Sequence, residues 1–189
     1  MGHLPLKAGD AVLAVDIQND FCPGGALAVA GGDQVVPVMN RWLKAAADAN
    51  LPAIASRDWH TVDHCSFQTQ GGPWPTHCIQ DTWGAAFHPD LHLPTGTVIV
   101  SKGTAFDRDA YSAFDGTGLT DWLRKKGVKR LWVGGLAEDV CVFHSIKDAC
   151  AAGFQVHLLR NATRPVFPDQ EVPTLEALRE AGTQLEDIA

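Results

Sequence analysis

The chain has 189 residues, 46% of them hydrophobic, which is typical of one globular domain spanning residues 1–189. Its formal net charge of -7 excludes the clustered basic surface that nucleic acids and anionic membranes require, so we expect a small molecule or a protein as its partner. No apolar run reaches the length of a membrane span, and residues 1–10 lack the apolar core of a secretory signal, which predicts a cytoplasmic protein.

Short apolar runs alternate along the chain with segments of helical periodicity. The predicted strands are 11–15, 51–56, 97–101, 129–135 and 155–159, with a further strand within 182–188. The predicted helices are 33–49, 118–126, 139–152 and 173–181. Four of the strands are almost continuously apolar, as buried parallel strands are. This alternation predicts a doubly wound α/β fold with a mostly parallel sheet and helices on both faces.

One long segment, residues 59–96, fits neither period. It carries five of the eight histidines and three of the six tryptophans. Loops of this length in compact domains are usually functional or disordered, and the aromatic content argues against disorder. We therefore expect this segment to contribute to a functional site.

Polar side chains follow four of the predicted strands. Asp16, Asp58, Lys102 and Cys141 each come close after a strand, and parallel sheets bind ligands at the carboxyl ends of their strands. A thiol at the start of a helix, with a carboxylate to accept its proton and an ammonium to stabilise the charge, is an activated nucleophile. Each residue also has a structural alternative: a core thiol, a surface lysine or an aspartate that caps a turn.

The other cysteines lack this context. They form no C-x-x-C pair, so neither a disulfide framework nor a zinc knuckle is indicated. We interpret them as structural thiols: Cys22, Cys65, Cys78 and Cys150.

A second cluster combines one carboxylate with imidazoles. Asp58, His60, His64 and His77 are the donor types that zinc, manganese or iron accept, although spacing leaves open whether His64 is a ligand or supports one. His88 and His92 lie in a polar turn, and we interpret them as structural.

Backbone N–H groups and aromatic rings could complete a site. The glycine-containing turn 134–141 offers N–H groups that suit an oxyanion, although in isolation it is also an ordinary strand-to-helix loop. Phe21, Trp74 and Tyr111 could form an aromatic pocket, although each one alone is more often a core residue.

Taken together, these segments resemble the nicotinamidase branch of the isochorismatase-like cysteine hydrolases. The matching segments keep the family's order: VDIQNDFCPGGALAV (15–29), SRDWHTVDHCSF (56–67), WPTHCIQDTWGAAFHPDL (74–91), VSKGTAFDRDAYSAFDG (100–116) and VGGLAEDVCV (133–142). The resemblance implies a cytoplasmic amidase of NAD salvage that hydrolyses nicotinamide to nicotinate and ammonia through a cysteine thioester, and that also accepts pyrazinamide. A homo-oligomer is compatible with it.

The resemblance also implies residue roles. Asp16, Lys102 and Cys141 match the catalytic triad, and Asp58, His60 and His77 match the ligands of one divalent metal ion, for which zinc is our first expectation. His64 matches a histidine that completes the metal sphere in some members and lies beside it in others. A cis peptide is implied before Ala137, whose N–H would form an oxyanion hole with that of Cys141. The aromatic residues that would surround the pyridine ring are Phe21, Trp74 and Tyr111.

Two departures from the family pattern are Thr61, where proline is common, and Glu138, where threonine is common. Glu138 leaves the substrate preference and the pH behaviour open. Two alternative functions also stay open: an amidase for carbamoyl or ureido compounds, and a catalytically silent domain that acts through protein contacts.

Overall fold

The computed structural model describes residues 4–188, and its centre is one six-stranded sheet. The strands are β1 (Asp10–Val15), β2 (Ala53–Asp58), β3 (Val98–Lys102), β4 (Arg130–Leu136), β5 (Gln155–Arg164) and β6 (Gln184–Glu186). Their order is β3-β2-β1-β4-β5-β6, and every neighbouring pair is parallel. The chain reverses its direction of winding between β1 and β4, and ligands of doubly wound sheets bind at such a switch point.

Helices cover both faces of this sheet, as the alternating pattern predicts. The α-helices are α1 (Val35–Asp48), α2 (Leu119–Lys125), α3 (Phe143–Ala151) and α4 (Glu171–Glu180). Helix α1 places Met39, Trp42 and Leu43 in the core on one face, while the apolar residues of the other three helices enter the core on the opposite face. The predicted fold class is confirmed. Among the described residues no helix is both long enough and apolar enough to cross a membrane.

Several element boundaries differ from the sequence expectation, and those of β5, β2 and β3 concern the edge where the polar residues collect. Strand β5 continues to Arg164, five residues beyond the predicted end, because Thr163 and Arg164 pair with Gly135 and Leu136 of β4 after a register shift. Strands β2 and β3 end at Asp58 and Lys102 themselves, and these two residues are register partners. The ladder therefore fixes the two charged side chains beside each other.

The segment 59–96 is mostly irregular, and isolated bridges hold it in place. The bridge between His60 and Ile79 lies within the segment, and the bridge between Gln18 and Phe87 joins it to the residues after β1. Cys78, Ala85 and Leu91 of this segment are buried in the core on the α1 face. The segment is therefore packed at the carboxyl edge of the sheet, where it can contribute side chains to a site.

Candidate active site

Three of the predicted residues meet at the switch point between β1 and β4. Asp16 follows β1, Lys102 ends β3, and Cys141 lies in a π-helical turn, Glu138–Val142, between β4 and α3. All three side chains are buried. The sheet thus delivers a carboxylate, an ammonium and a thiol to one place that water barely reaches.

Lys102 is the centre of this arrangement. Its Nζ atom lies 2.7 Å from Asp16 Oδ2, 2.5 Å from Asp58 Oδ1 and 3.4 Å from Cys141 Sγ. Burial alone would lower the pKa of Lys102, but the two carboxylates outweigh it and raise this pKa well above its ordinary value. The side chain is therefore a fixed cation that touches both the thiol and the second carboxylate.

Asp16 is held in an unusual conformation. Its φ of 46° lies in the left-handed region, which few residues other than glycine adopt. Its N–H donates to the Ser56 carbonyl at 3.1 Å, and the Ser56 hydroxyl donates to Asp16 Oδ1 at 2.7 Å. Asp16 Oδ2 faces the Lys102 ammonium at 2.7 Å. A carboxylate oxygen has two lone pairs, so Oδ2 keeps one for a proton.

The turn that carries Cys141 depends on a glycine. Gly135 has a φ of 124°, and a Cβ there would collide with the backbone of Val15, so β4 can approach β1 only with glycine at this position. The peptide bond between Leu136 and Ala137 is cis, as the resemblance implies. The Ala137 carbonyl accepts the Val142 N–H at 3.0 Å, which closes the π-helical turn around Cys141.

Burial controls the protonation of the thiol and of its neighbour. It raises the pKa of Cys141 well above 9.0, although the Lys102 charge opposes this. Burial also raises the pKa of Asp16, again against the effect of Lys102. The helix start therefore does not by itself hold a thiolate here. An unusually basic carboxylate lies beside a neutral thiol, and the cation between them can stabilise the negative charge on either one.

Asp58, His60 and His77 bring their donor atoms together in a second cluster. The Nε2 atoms of His60 and His77 lie 3.4 Å and 3.6 Å from Asp58 Oδ2, and the donor atoms of the three residues are all within 4.8 Å of one another. Burial would raise the pKa of Asp58, but Lys102 and the two imidazoles lower it well below its usual range. The carboxylate is ionised, as a metal ligand must be.

The hydrogen bonds around this cluster set the imidazoles for metal binding. His60 Nδ1 donates to the Gly103 carbonyl at 2.8 Å, and His77 Nδ1 donates to the Pro75 carbonyl at 2.7 Å. Both bonds leave the Nε2 lone pairs pointing toward Asp58, which is the arrangement that supports metal-binding histidines. Gly103 has a φ of 63°, and a Cβ there would collide with the His60 ring. The residues present therefore fit a divalent transition ion.

His64 lies beside this cluster rather than within it. Its ring stacks on that of His60 with centroids 4.2 Å apart, and its donor atoms group with those of His60 and Asp109. His64 Nδ1 lies 2.8 Å from Ser66 Oγ and accepts the Ser66 N–H at 3.3 Å, and Nε2 is buried without a hydrogen-bond partner among the described residues. The donor atoms of His64 group with His60 but not with Asp58 and His77, which favours a supporting position for His64.

One cavity is lined by residues of both clusters: Asp58, His60 and His77 of the metal-type cluster, and Cys141 with the neighbouring Ala137. The three predicted aromatic residues also line it: Phe21, Trp74 and Tyr111. Trp74 Nε1 donates to the Tyr111 hydroxyl at 3.0 Å, and Phe21 lies 5.7 Å from the His77 ring. The cavity therefore combines aromatic walls with a nucleophile and a metal-type cluster.

Comparison with known proteins identifies the family. The model of the isochorismatase domain matches residues 10–189. The nicotinamidase of Escherichia coli (strain K12) is 37% identical over 95% of each chain, and the nicotinamidase/pyrazinamidase of Mycobacterium tuberculosis is 38% identical over 93% of this chain and 97% of its own. The chain belongs to the isochorismatase family. A crystal structure of the Pyrococcus horikoshii pyrazinamidase in complex with zinc matches with a TM-score of 0.92 and 42% identity, covering 95% of this chain and 99% of that one.

The two departures from the family pattern have different surroundings. Thr61 lies in the segment after β2, and its carbonyl accepts the His64 N–H at 3.2 Å. Glu138 lies in the nucleophile turn but does not line the cavity, and the charged groups that act on it include Arg160 and Arg164 of β5 and Glu171 of α4. Its side chain is buried, and Oε1 has no hydrogen-bond partner among the described residues. Burial, with help from Glu171 and Asp139, raises the pKa of Glu138 to about 7.

The sequence interpretation missed three residues that line the cavity. Leu27, Asp109 and Val166 belong to irregular segments, where no periodicity marks an inward side chain. Asp109 follows Lys102 by only seven residues and is the one polar side chain among the three, so its place in VSKGTAFDRDAYSAFDG was the signal that could have identified it.

Of the cysteines interpreted as structural, Cys22 and Cys78 are buried in the core, and Cys65 and Cys150 are partly buried. His88 Nδ1 accepts a hydrogen bond from the nearby Asp90 N–H, and His92 Nδ1 contacts the Asn40 side chain, which lies far away in the sequence.

Proposed function

We propose that this protein is a nicotinamidase, which hydrolyses nicotinamide to nicotinate and ammonia and also accepts pyrazinamide. The observation that carries the proposal is the position of the Lys102 ammonium, which touches Asp16, Asp58 and Cys141 at once. It links a nucleophile of the cysteine-hydrolase type to a cluster suited to a metal. The similarity to nicotinamidases over nearly the whole chain supports the same function.

In the first half of the reaction, Asp16 accepts the Cys141 proton and the thiolate attacks the carboxamide carbon. The raised pKa of Asp16 makes it a stronger base for this transfer, and Lys102 stabilises the negative charge as it moves. The N–H groups of Ala137 and Cys141 are our candidates for the oxyanion hole. Asp16 then returns its proton to the leaving nitrogen, so ammonia departs and a thioester remains.

In the second half, Asp16 accepts a proton from water, which attacks the thioester carbonyl. The carbon–sulfur bond breaks, Cys141 recovers its proton from Asp16, and the carboxylic acid leaves as nicotinate. The balance is one amide and one water for one acid and one ammonia. No further reactant is needed.

Asp58, His60 and His77 would hold the divalent ion, with His64 in support, and zinc is the first candidate. When bound, the ion supplies Lewis acidity that attracts a ring nitrogen and so orients an aromatic amide. Phe21, Trp74 and Tyr111 supply the walls for a planar ring. This arrangement distinguishes nicotinamide from carbamoyl and ureido compounds, which have no ring nitrogen.

A substrate panel tests the proposal. We expect the purified metal-loaded protein to release ammonia from nicotinamide and pyrazinamide, with a kcat/KM for benzamide at least about tenfold lower, which corresponds to 1.4 kcal/mol. Benzamide has the same shape without the ring nitrogen. Equal values for benzamide and nicotinamide would contradict recognition of that nitrogen. Activity only on a carbamoyl or ureido compound would replace the proposed substrate, and no activity on any amide would favour the silent domain.

A further inference from the structure

The Asp139 carboxylate bridges two segments that line the cavity from different parts of the chain. Its Oδ1 atom accepts the Val166 N–H at 2.8 Å, and its Oδ2 atom accepts the Phe167 N–H at 2.9 Å. Hydrogen bonds to an ionised carboxylate are about twice as strong as neutral ones, and two in parallel also fix direction. The nucleophile turn thereby holds the backbone at residues 166–167.

The two hydrogen bonds of Asp139 lie directly after the point where β4 and β5 stop pairing. The pairing of β4 with β5 stops at Leu136 and Arg164, and Pro165 has no N–H to continue a ladder. The next two N–H groups of the chain are those taken by Asp139. The side chain therefore replaces the backbone ladder as the link between the segment after β5 and the turn after β4.

The link has a consequence for the shape of the cavity. Val166 lines the cavity, together with Val140 and Cys141 from the turn that Asp139 belongs to. Val166 is only partly buried against the core, so core packing alone does not fix its position. The distance between the Val166 wall and the nucleophile depends on the two bonds from Asp139.

We propose that Asp139 is a positioning residue for substrate selection, which holds Val166 as a wall of the pocket beside Cys141. The proposal rests on the proposed function for the identity of the substrate. It assigns to Asp139 no contact with the reacting atoms. Removal of the Asp139 carboxylate should weaken the binding of a flat aromatic amide far more than it slows the chemical step.

The test compares Asp139→Ala with Val166→Ala, with the double variant, and with Asp169→Ala as a control. Asp169 is an exposed aspartate three residues beyond Val166, and its carboxylate accepts a hydrogen bond from its neighbour Gln170. We expect Asp139→Ala to raise KM for nicotinamide about tenfold while kcat changes less than about threefold. Asp139→Asn, which keeps one acceptor oxygen, should lie between this variant and the wild type. Asp169→Ala should leave both constants unchanged.

The double variant separates this role from general damage to the turn. If Asp139 acts through Val166, then Val166→Ala should add little to the KM of the Asp139→Ala protein, whereas independent effects would multiply. Amide hydrogen exchange at Val166 and Phe167 should speed up in Asp139→Ala and stay unchanged in Asp169→Ala. An unchanged KM, a loss confined to kcat, or multiplied effects in the double variant would overturn the proposal.

Failure of the proposed nicotinamidase function can be distinguished from failure of the role proposed for Asp139. The wild-type protein would then release no nicotinate, while the exchange experiment would still report on the two hydrogen bonds. In that case the alkylation of Cys141 by iodoacetamide and by the bulkier N-ethylmaleimide tests the wall directly. Asp139→Ala should speed the bulkier reagent more than the smaller one, and equal changes for both reagents would overturn the proposal.

Discussion

Replacing Glu138 by glutamine should stabilise the protein at alkaline pH and should matter little in acid. Glu138 is 3% exposed, and its Oε1 atom has no hydrogen-bond partner within residues 4–188. Burial is the largest cause of its raised pKa, and Glu171 and Asp139 add to it, while Arg160 and Arg164 partly offset it. The fold therefore disfavours the ionised carboxylate, which glutamine cannot form.

The size of this stabilisation follows from the difference between the pKa of Glu138 in the folded protein and its pKa in the unfolded chain. The pKa of Glu138 is about 7 in the folded protein, against 4.5 in the unfolded chain, and each pKa unit corresponds to 1.36 kcal/mol, so ionisation costs about 3 kcal/mol of stability. Because the folded pKa is the higher one, this cost is absent below pH 4.5, grows as the pH rises to about 7, and stays constant above that. Between pH 5 and pH 8 the glutamine variant should gain about 2.5 kcal/mol on the wild type.

Urea unfolding of both proteins at pH 5 and pH 8, at one fixed metal content, measures this gain. Glu176→Gln is the matched control, because it makes the same chemical change at an exposed position of the neighbouring helix α4. The control variant should differ from the wild type by less than about 0.5 kcal/mol at either pH. If Glu138→Gln gives the same difference in stability at both pH values, then Glu138 is not a disfavoured ion, and the reasoning from its burial is wrong.

Three further predictions concern the two clusters. Asp16→Asn keeps the shape of the side chain but removes the proton acceptor, and kcat for nicotinamide should fall by about 10² to 10⁴ in an ammonia-release assay. His77→Ala should lower the metal content measured by elemental analysis, while Cys141 should still be alkylated by iodoacetamide; retained metal would exclude His77 as a ligand. Lys102→Met leaves two buried carboxylates without their cation, and the free energy of unfolding at pH 7 should fall by about 3 to 5 kcal/mol, against little change for exposed Lys125→Met.

The residues at the strand ends could be predicted because a parallel sheet brings all its carboxyl ends to one edge. Asp16, Asp58, Lys102 and Cys141 follow short apolar runs that only buried strands explain, and the structure brings them together. The sheet order and the position of the switch point could not be read from periodicity, because pairing between distant strands leaves no local signal. The resemblance to a family supplied what the periodicity lacked.

The remaining details depend on long-range contacts that no local pattern records. The end of β5 was predicted too early because its last residues, Thr163 and Arg164, are held by pairing with β4 rather than by their own hydrophobicity. The π-helical turn around Cys141 and the burial of Glu138 depend on packing against β5 and α4. Asp139 was visible only as a neighbour of Cys141, since its partners at Val166 and Phe167 lie more than twenty residues away in the chain.

The comparison of the wild type with Cys141→Ala tests the central claim most directly. Nicotinate release from nicotinamide should occur with the wild-type protein and should fall by several orders of magnitude in the variant, because the substitution removes the proposed nucleophile. The variant should still bind nicotinamide in a calorimetric titration, because the metal cluster and the aromatic walls are separately anchored. Turnover by Cys141→Ala within tenfold of the wild type would contradict the assignment of Cys141 as the nucleophile, and with it the mechanism proposed for this protein.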